Sequence, residues 1–190
     1  MEALDEQLDT QPHTRIDRLT GIYDRETVLA MLFRETDRAQ RLHTALSILL
    51  FDIDDFDRWN TLLGDEACDQ LLWLVAARTM RLLRSYDLLG RTGKHEFLAA
   101  LPGCGTENAI MLAERLRLDV FRVPFHVVDA SIHLSACFGV ASSQGRSPVV
   151  VLREAEEALR AAKAAGAGSI QTWSGLESTA AVADPACTKL

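Results

Sequence analysis

Residues 84–97 read Arg84-Ser-Tyr-Asp87-Leu-Leu-Gly-Arg-Thr-Gly93-Lys-His-Glu-Phe97, and this stretch decides the fold. The link Thr92-Gly93-Lys94-His95 separates the apolar pair Leu88-Leu89 from the apolar run Phe97-Leu98-Ala99-Ala100-Leu101. A short, glycine-containing link between two apolar runs is the pattern of a β-hairpin.

Upstream of the hairpin, Asp65 to Leu83 has helical periodicity, with Leu71, Leu72, Val75, Met80 and Leu83 on its apolar side. Before it, Ala45-Leu-Ser-Ile-Leu-Leu-Phe51 is a compact apolar run that stops at Asp52, Asp54 and Asp55. This predicts a central buried strand whose carboxylate end is a natural place for a cation, or else a solvated strand end. A first helix is expected from about Arg25 to Gln40, carrying Val28, Leu29, Leu32 and Phe33.

Downstream, Pro102-Gly-Cys-Gly105 is a loop, and Thr106 is expected to cap a helix through Ala109, Leu112, Ala113 and Leu116 that Pro124 ends. Phe125 to Val128 and Ser131 to Ala141 then predict two strands joined at Asp129-Ala130. Ser147-Pro148 opens an alanine-rich helix to Ala165, stopped by Gly166 and Gly168, and Ser169 to Trp173 reads as a last strand. The order predicts an α/β (α+β) fold, an antiparallel-rich sheet of about five strands surrounded by helices.

A chain of 190 residues, 48% hydrophobic and 25% charged, is sized for one domain, with residues 17–173 between a polar segment 1–16 and a tail 174–190. The net charge of −7 argues against general attraction to nucleic acid or to an acidic membrane. The acidic opening is not expected to be a secretory signal, and no apolar run reaches the length of a membrane span. Cys68, Cys104, Cys137 and Cys187 are scattered without metal-ligand spacing, as expected of reduced thiols in the cytoplasm.

Separated segments along the chain resemble, in the right order, those of the GGDEF domain family, whose members make cyclic di-GMP from two GTP. Asp17-Arg-Leu-Thr-Gly-Ile-Tyr-Asp-Arg25 resembles the family's DxLTGLxNR opening, and Asp52-Ile-Asp-Asp-Phe56 its DIDxFK strand end, with Asp57 where a lysine is usual. The hairpin turn is similar to the signature itself: Gly93, Glu96 and Phe97 match, while Lys94 and His95 stand where a glycine and an acid are usual. Arg84-Ser-Tyr-Asp87 resembles the RxxD inhibitory site, and Glu154 to Gly166 the closing ADxALYxAKxxG helix. The resemblance implies the same sheet-and-helix fold, with the hairpin at the active edge.

For the chemistry, the resemblance implies that Asp52, the carbonyl of Ile53 and the residue at His95 are where divalent metals would be held during phosphoryl transfer. Magnesium prefers hard oxygen ligands and imidazole does not suit it, so at most a vestigial magnesium site is expected and no cofactor is required. Lys163 matches a phosphate-binding lysine, whereas Ala167 sits where an arginine is usual. No catalytic residue is therefore expected, and Lys94 and His95 read as turn-surface residues. Asn60 and Asp69 occupy the positions of a guanine- or GTP-binding pair; alternatively Asn60 caps a turn and Asp69 is a solvated helix residue.

The ligand-binding positions are less altered. Arg84 and Asp87 can clamp a guanine nucleotide by a guanidinium fork and a carboxylate, and Arg115 resembles an additional arginine that contacts cyclic di-GMP. The pattern alone is common, since Arg34-Glu-Thr-Asp37 also fits it; position singles out Arg84, nine residues before Gly93 (93 − 84 = 9). The resulting expectation is a catalytically inactive cyclic di-GMP receptor, with ligand-induced homodimerisation, that signals through a separate protein recognising residues 1–16 or the tail. Residual diguanylate cyclase activity and a GTP-binding regulatory module are the alternatives; neither nucleic acid nor a membrane is an expected partner.

Overall fold

The computed structural model describes residues 14–127 and 130–173. Residues 1–13 of the expected partner-binding segment 1–16, the tail 174–190 with Cys187, the expected strand end Val128, and Asp129 of the expected turn Asp129-Ala130 lie outside them. Helix α1 spans Arg25–Leu42, strand β1 Leu46–Ile53, α2 Phe56–Leu63, α3 Asp65–Met80, β2 Leu88–Arg91, β3 Glu96–Pro102 and α4 Thr106–Leu116. A π turn, Arg117–Phe121, extends α4, followed by β4 Phe125–Val127, β5 Ala130–Ile132, β6 Ala136–Ser142, α5 Pro148–Ala165 and β7 Ile170–Thr172. The main sheet has the order β2-β3-β1-β6-β7, antiparallel except for the parallel pair β6 and β7. β4 and β5 form a separate small hairpin.

Strand β1 is central, and all eight of its residues are buried because helices cover both faces. Strand alternation divides them. Leu49, Phe51 and Ile53 join one core with α3, α4 and the aromatic cluster Phe97, Phe121 and Phe138, whereas Leu46, Ile48 and Leu50 join a second core with α1 and α5. Asp52 falls in the second series, on the face that α5 covers. Its cross-strand partners Glu96 on β3 and Cys137 on β6 share that face.

Local chemistry sets the boundaries. The Asp24 side chain accepts the Thr27 N–H at 2.8 Å and starts α1, which ends at His43 in the left-handed conformation. Thr106 is not the cap of α4: Gly105 holds that position without a side-chain bond, and Thr106 is already helical. Helix α3 stops at Met80, before Leu83, and α2 is an element that the apolar pattern did not mark.

The expected strand Ser131 to Ala141 is two strands in two sheets, broken at residues 133–135. The break is held by Asp54, whose N–H donates to the Ser135 carbonyl at 2.9 Å and whose Oδ2 accepts from Ser135 Oγ at 2.6 Å. Among the described residues, no helix is long and apolar enough to cross a membrane.

Candidate functional site

The end of β1, the hairpin turn and the C-terminal part of α5 surround a cleft of about 440 Å³, lined by Asp52, Ile53, His95, Lys163 and Ala167 among others. Strand parity brings Asp52 and Lys163 together: Lys163 Nζ lies 3.0 Å from Asp52 Oδ1. His95 Nε2 lies 3.9 Å from Oδ2 of the same carboxylate. Burial pushes the Asp52 carboxyl above its ordinary range; the Lys163 hydrogen bond and the charges of His95 and Lys163 oppose this, and neighbouring Glu96 adds to it.

The hairpin turn is held from several sides. Thr92 Oγ1 donates to Glu96 Oε1 at 2.7 Å, Arg25 reaches the Thr92 carbonyl at 2.5 Å, and Arg91 reaches the Lys94 carbonyl at 2.6 Å. The backbone N–H of Ile53 donates to the His95 carbonyl at 3.2 Å, fastening the turn to β1. Lys94 is not among the described residues with positive φ, so the turn does not demand a glycine there. Its ammonium instead spans to Asp57 at the start of α2, 2.7 Å from Oδ1. That contact holds Asp57 below the usual carboxylate range and raises Lys94.

This donor set does not fit the magnesium that the fold family implies. Asp52 already accepts from an ammonium, and the opposite group is an imidazole whose Nδ1 is buried without a hydrogen-bond partner. Among the described residues, no three His, Cys, Asp or Glu side chains converge to hold a metal. Asp54, one strand position beyond Ile53, is a fastening: its Oδ2 also accepts the Gly168 N–H at 2.8 Å, tying β1 to the loop before β7. Cys137, on the cleft wall, is a thiol pushed up to about 11 by burial, with the Asp54 carboxylate adding to the shift.

Asn60 and Asp69 are not joined by a hydrogen bond. The Asn60 amide on α2 donates to Asp65 Oδ1 at 2.9 Å across the Gly64 corner, and Asp69 is exposed on α3. The Asn60–Asp65 pair went unread in the sequence, although an amide and an acid flanking a glycine between two helices are a usable cue.

A second pocket, of about 180 Å³, brings Arg84, Asp87 and Arg115 together with Asn108, Cys104 and Met111. It forms where the turn before β2 meets α4. Asp87 Oδ2 accepts the Arg84 N–H at 2.8 Å, and the Asp87 N–H returns to the Arg84 carbonyl at 3.1 Å, so the RxxD segment closes on itself. Burial raises the Asp87 carboxyl despite the N–H and charge of Arg84. Arg84 and Arg115 are both exposed, and Arg84 Nη1 donates to Tyr86 Oη at 3.0 Å. The other RxxD match differs: Arg34 and Asp37 lie exposed along α1, outside this pocket.

Known proteins are similar to this chain in sequence and in fold. The family described as "Diguanylate cyclase, GGDEF domain" matches residues 14–169. The diguanylate cyclase DgcP of Pseudomonas aeruginosa is 31% identical over 159 residues, 83% of this chain and 24% of that protein. The chain spans between 24% and 47% of the length of such curated relatives. Among solved structures, diguanylate cyclase SiaD from Pseudomonas aeruginosa in complex with its activator SiaC is 30% identical with a TM-score of 0.78, over 83% of this chain and 61% of that one. The GGDEF domain of DgcB from Caulobacter crescentus, in complex with c-di-GMP, has a TM-score of 0.80 over 84% of this chain and 93% of that one; at 23% identity it shows the fold alone.

Proposed function

Because the chain belongs to the GGDEF family of diguanylate cyclase domains, we propose that it is a catalytically inactive receptor that binds cyclic di-GMP through Arg84, Asp87 and Arg115. The observation that carries this is the pocket those three side chains share. Two guanidinium forks suit anionic phosphates and the guanine Hoogsteen edge, and a carboxylate suits the N1–H and N2–H edge. Asp87 and the Arg84 backbone are already tied to each other, which lowers the ordering cost of binding.

The cleft at the hairpin supports the inactive part of the proposal. Phosphoryl transfer depends on metals and fixed cations that gather developing charge, and loss of one such stabiliser costs on the order of 10² to 10³ in rate. Here an imidazole replaces a carboxylate, Ala167 offers no charge, and the Lys163 ammonium is engaged by Asp52. The two departures at Asp57 and Lys94 pair with each other across the cleft mouth. A magnesium ion bound by Asp52 and the Ile53 carbonyl would be vestigial. GTP held near Asn60, Asp69 and Lys163 would be a regulatory ligand.

Signalling then passes to a separate protein, and ligand bridging two copies is a route to a homodimer. A relative, diguanylate cyclase SiaD, is found in complex with a separate protein, its activator SiaC. A cytoplasmic setting accords with the free, buried Cys68, Cys104 and Cys137.

Calorimetric titration with cyclic di-GMP tests the proposal. Wild type is expected to bind at about micromolar affinity or tighter, Arg84→Ala and Asp87→Ala to lose binding, and Arg34→Ala to bind as wild type. Absence of binding to the wild-type chain ends the receptor assignment. Product formed from GTP with magnesium or manganese, and lost in Asp52→Ala, would instead establish the diguanylate cyclase activity named for the relatives.

A further inference from the structure

The pocket of Arg84, Asp87 and Arg115 is small for the ligand assigned to it. Sites that enclose small molecules run to about 300–1,000 Å³, and this one measures about 180 Å³. A ligand with two guanine bases must therefore extend beyond it. Next to the pocket lies a larger groove, of about 480 Å³, whose wall includes Tyr86, Leu42 and Pro102. The two linings are linked by a hydrogen bond, from Arg84 of the pocket to Tyr86 of the groove.

Tyr86 is well placed at that boundary. Its hydroxyl accepts from Arg84 Nη1 at 3.0 Å, and its ring centre lies 5.8 Å from the guanidinium carbon. The side chain is 54% exposed, so the fold gains little from it and a face of the ring is open to a ligand. Arg84 is itself exposed, and among the described residues its guanidinium has no other hydrogen-bond acceptor. Without Tyr86, a long flexible side chain would have to be ordered by the ligand alone.

We infer that Tyr86, one of the unspecified letters of the RxxD segment, is a positioning residue that holds the Arg84 fork toward the pocket and offers its ring to a guanine base extending into the adjacent groove. The inference rests on the receptor function proposed above. A planar base stacks on an aromatic face regardless of its edge pattern, so Tyr86 adds affinity while Asp87 reads the guanine edge.

Cyclic di-GMP titrations of the full chain as wild type, Tyr86→Phe and Tyr86→Ala separate the two parts of the role. Tyr86→Phe keeps the ring and loses the hydroxyl, and is expected to weaken binding about 3- to 10-fold, the effect of one solvent-exposed hydrogen bond. Tyr86→Ala loses both and is expected to weaken it about 30-fold or more. Melting midpoints without ligand should match among the three proteins, which a merely structural role would not allow. Affinities of both variants within about twofold of the wild type overturn the role of Tyr86 and leave the receptor assignment standing; a wild type that does not bind overturns both.

Discussion

At the scale of single residues, the chemistry of the cleft turns on Asp52. Its carboxyl is raised by burial in spite of Lys163 and His95, so desolvation outweighs the attraction of both neighbours. A carboxyl whose folded value exceeds its unfolded value of about 3.9 favours folding fully below that value, and that contribution is lost as pH rises through the folded value. Asp52→Asn is therefore expected to raise the melting midpoint at pH 7, by about 2 to 4 °C for each kcal/mol gained. The gain should vanish as pH falls through the carboxylate range. Thermal denaturation at pH 4 and pH 7 checks this, and a variant less stable than wild type at pH 7 would mean that the Lys163 pair outweighs burial.

Resemblance to known motifs nominated Asp52, Lys163, Arg84, Asp87 and Arg115, and the first two line the cleft at the hairpin while the last three line the smaller pocket. The Asp52–Lys163 contact was not read, since it follows from which face of β1 each residue occupies. The Lys94–Asp57 pair joins residues 37 apart and was equally hidden. Asp54 looked like one more acid at a strand end, and only the approach of Ser135 and Gly168 makes it a fastening.

Among the elements, the junction of β6 with α5 is the most tightly specified. A Cβ built on Gly139 would strike the Leu159 backbone nitrogen and the Ala155 carbonyl oxygen, so at this point the helix backbone lies directly on the strand. Neither backbone group can rotate away as a side chain would. Gly139→Ala is expected to cost about 3 kcal/mol or more, readable as a lower midpoint in urea denaturation; a change under about 0.5 kcal/mol would show that α5 can lift without penalty.

The long helices α1, α3 and α5 were legible because their pattern repeats over several turns, and β1 because it is an unbroken apolar run. Helix α2 was not: it has eight residues, and Asp55 before it adopts a left-handed conformation without a side-chain cap. The division of β5 from β6 was hidden for a different reason. Residues 131–141 keep an alternating pattern through the bend, and Leu134 stays buried at 5% exposure within it.

For the whole molecule, stability and ligand occupancy are linked by mass action. A ligand that binds only the folded chain adds about 2.7 kcal/mol at a hundred times its dissociation constant. For a chain of this size, that amounts to a rise in melting midpoint of about 5 to 10 °C. Cyclic di-GMP at that excess is expected to produce such a rise in wild type and none in Arg84→Ala. Differential scanning calorimetry reads it directly, and a midpoint that ligand leaves unchanged in wild type counts against the receptor assignment.

The segment before α1 constrains how two copies could associate. Tyr23 lies along the outer side of β2, where its N–H donates to the Leu89 carbonyl at 3.2 Å and its carbonyl accepts the Arg91 N–H at 2.9 Å. Those are the groups that an incoming strand would need, so this border of the sheet offers no template for backbone zippering or for the runaway stacking that open strands invite. A second copy would have to displace Tyr23 before it could add a strand there. Assembly on that side then falls to side chains and a shared ligand, and it can come apart when the ligand leaves.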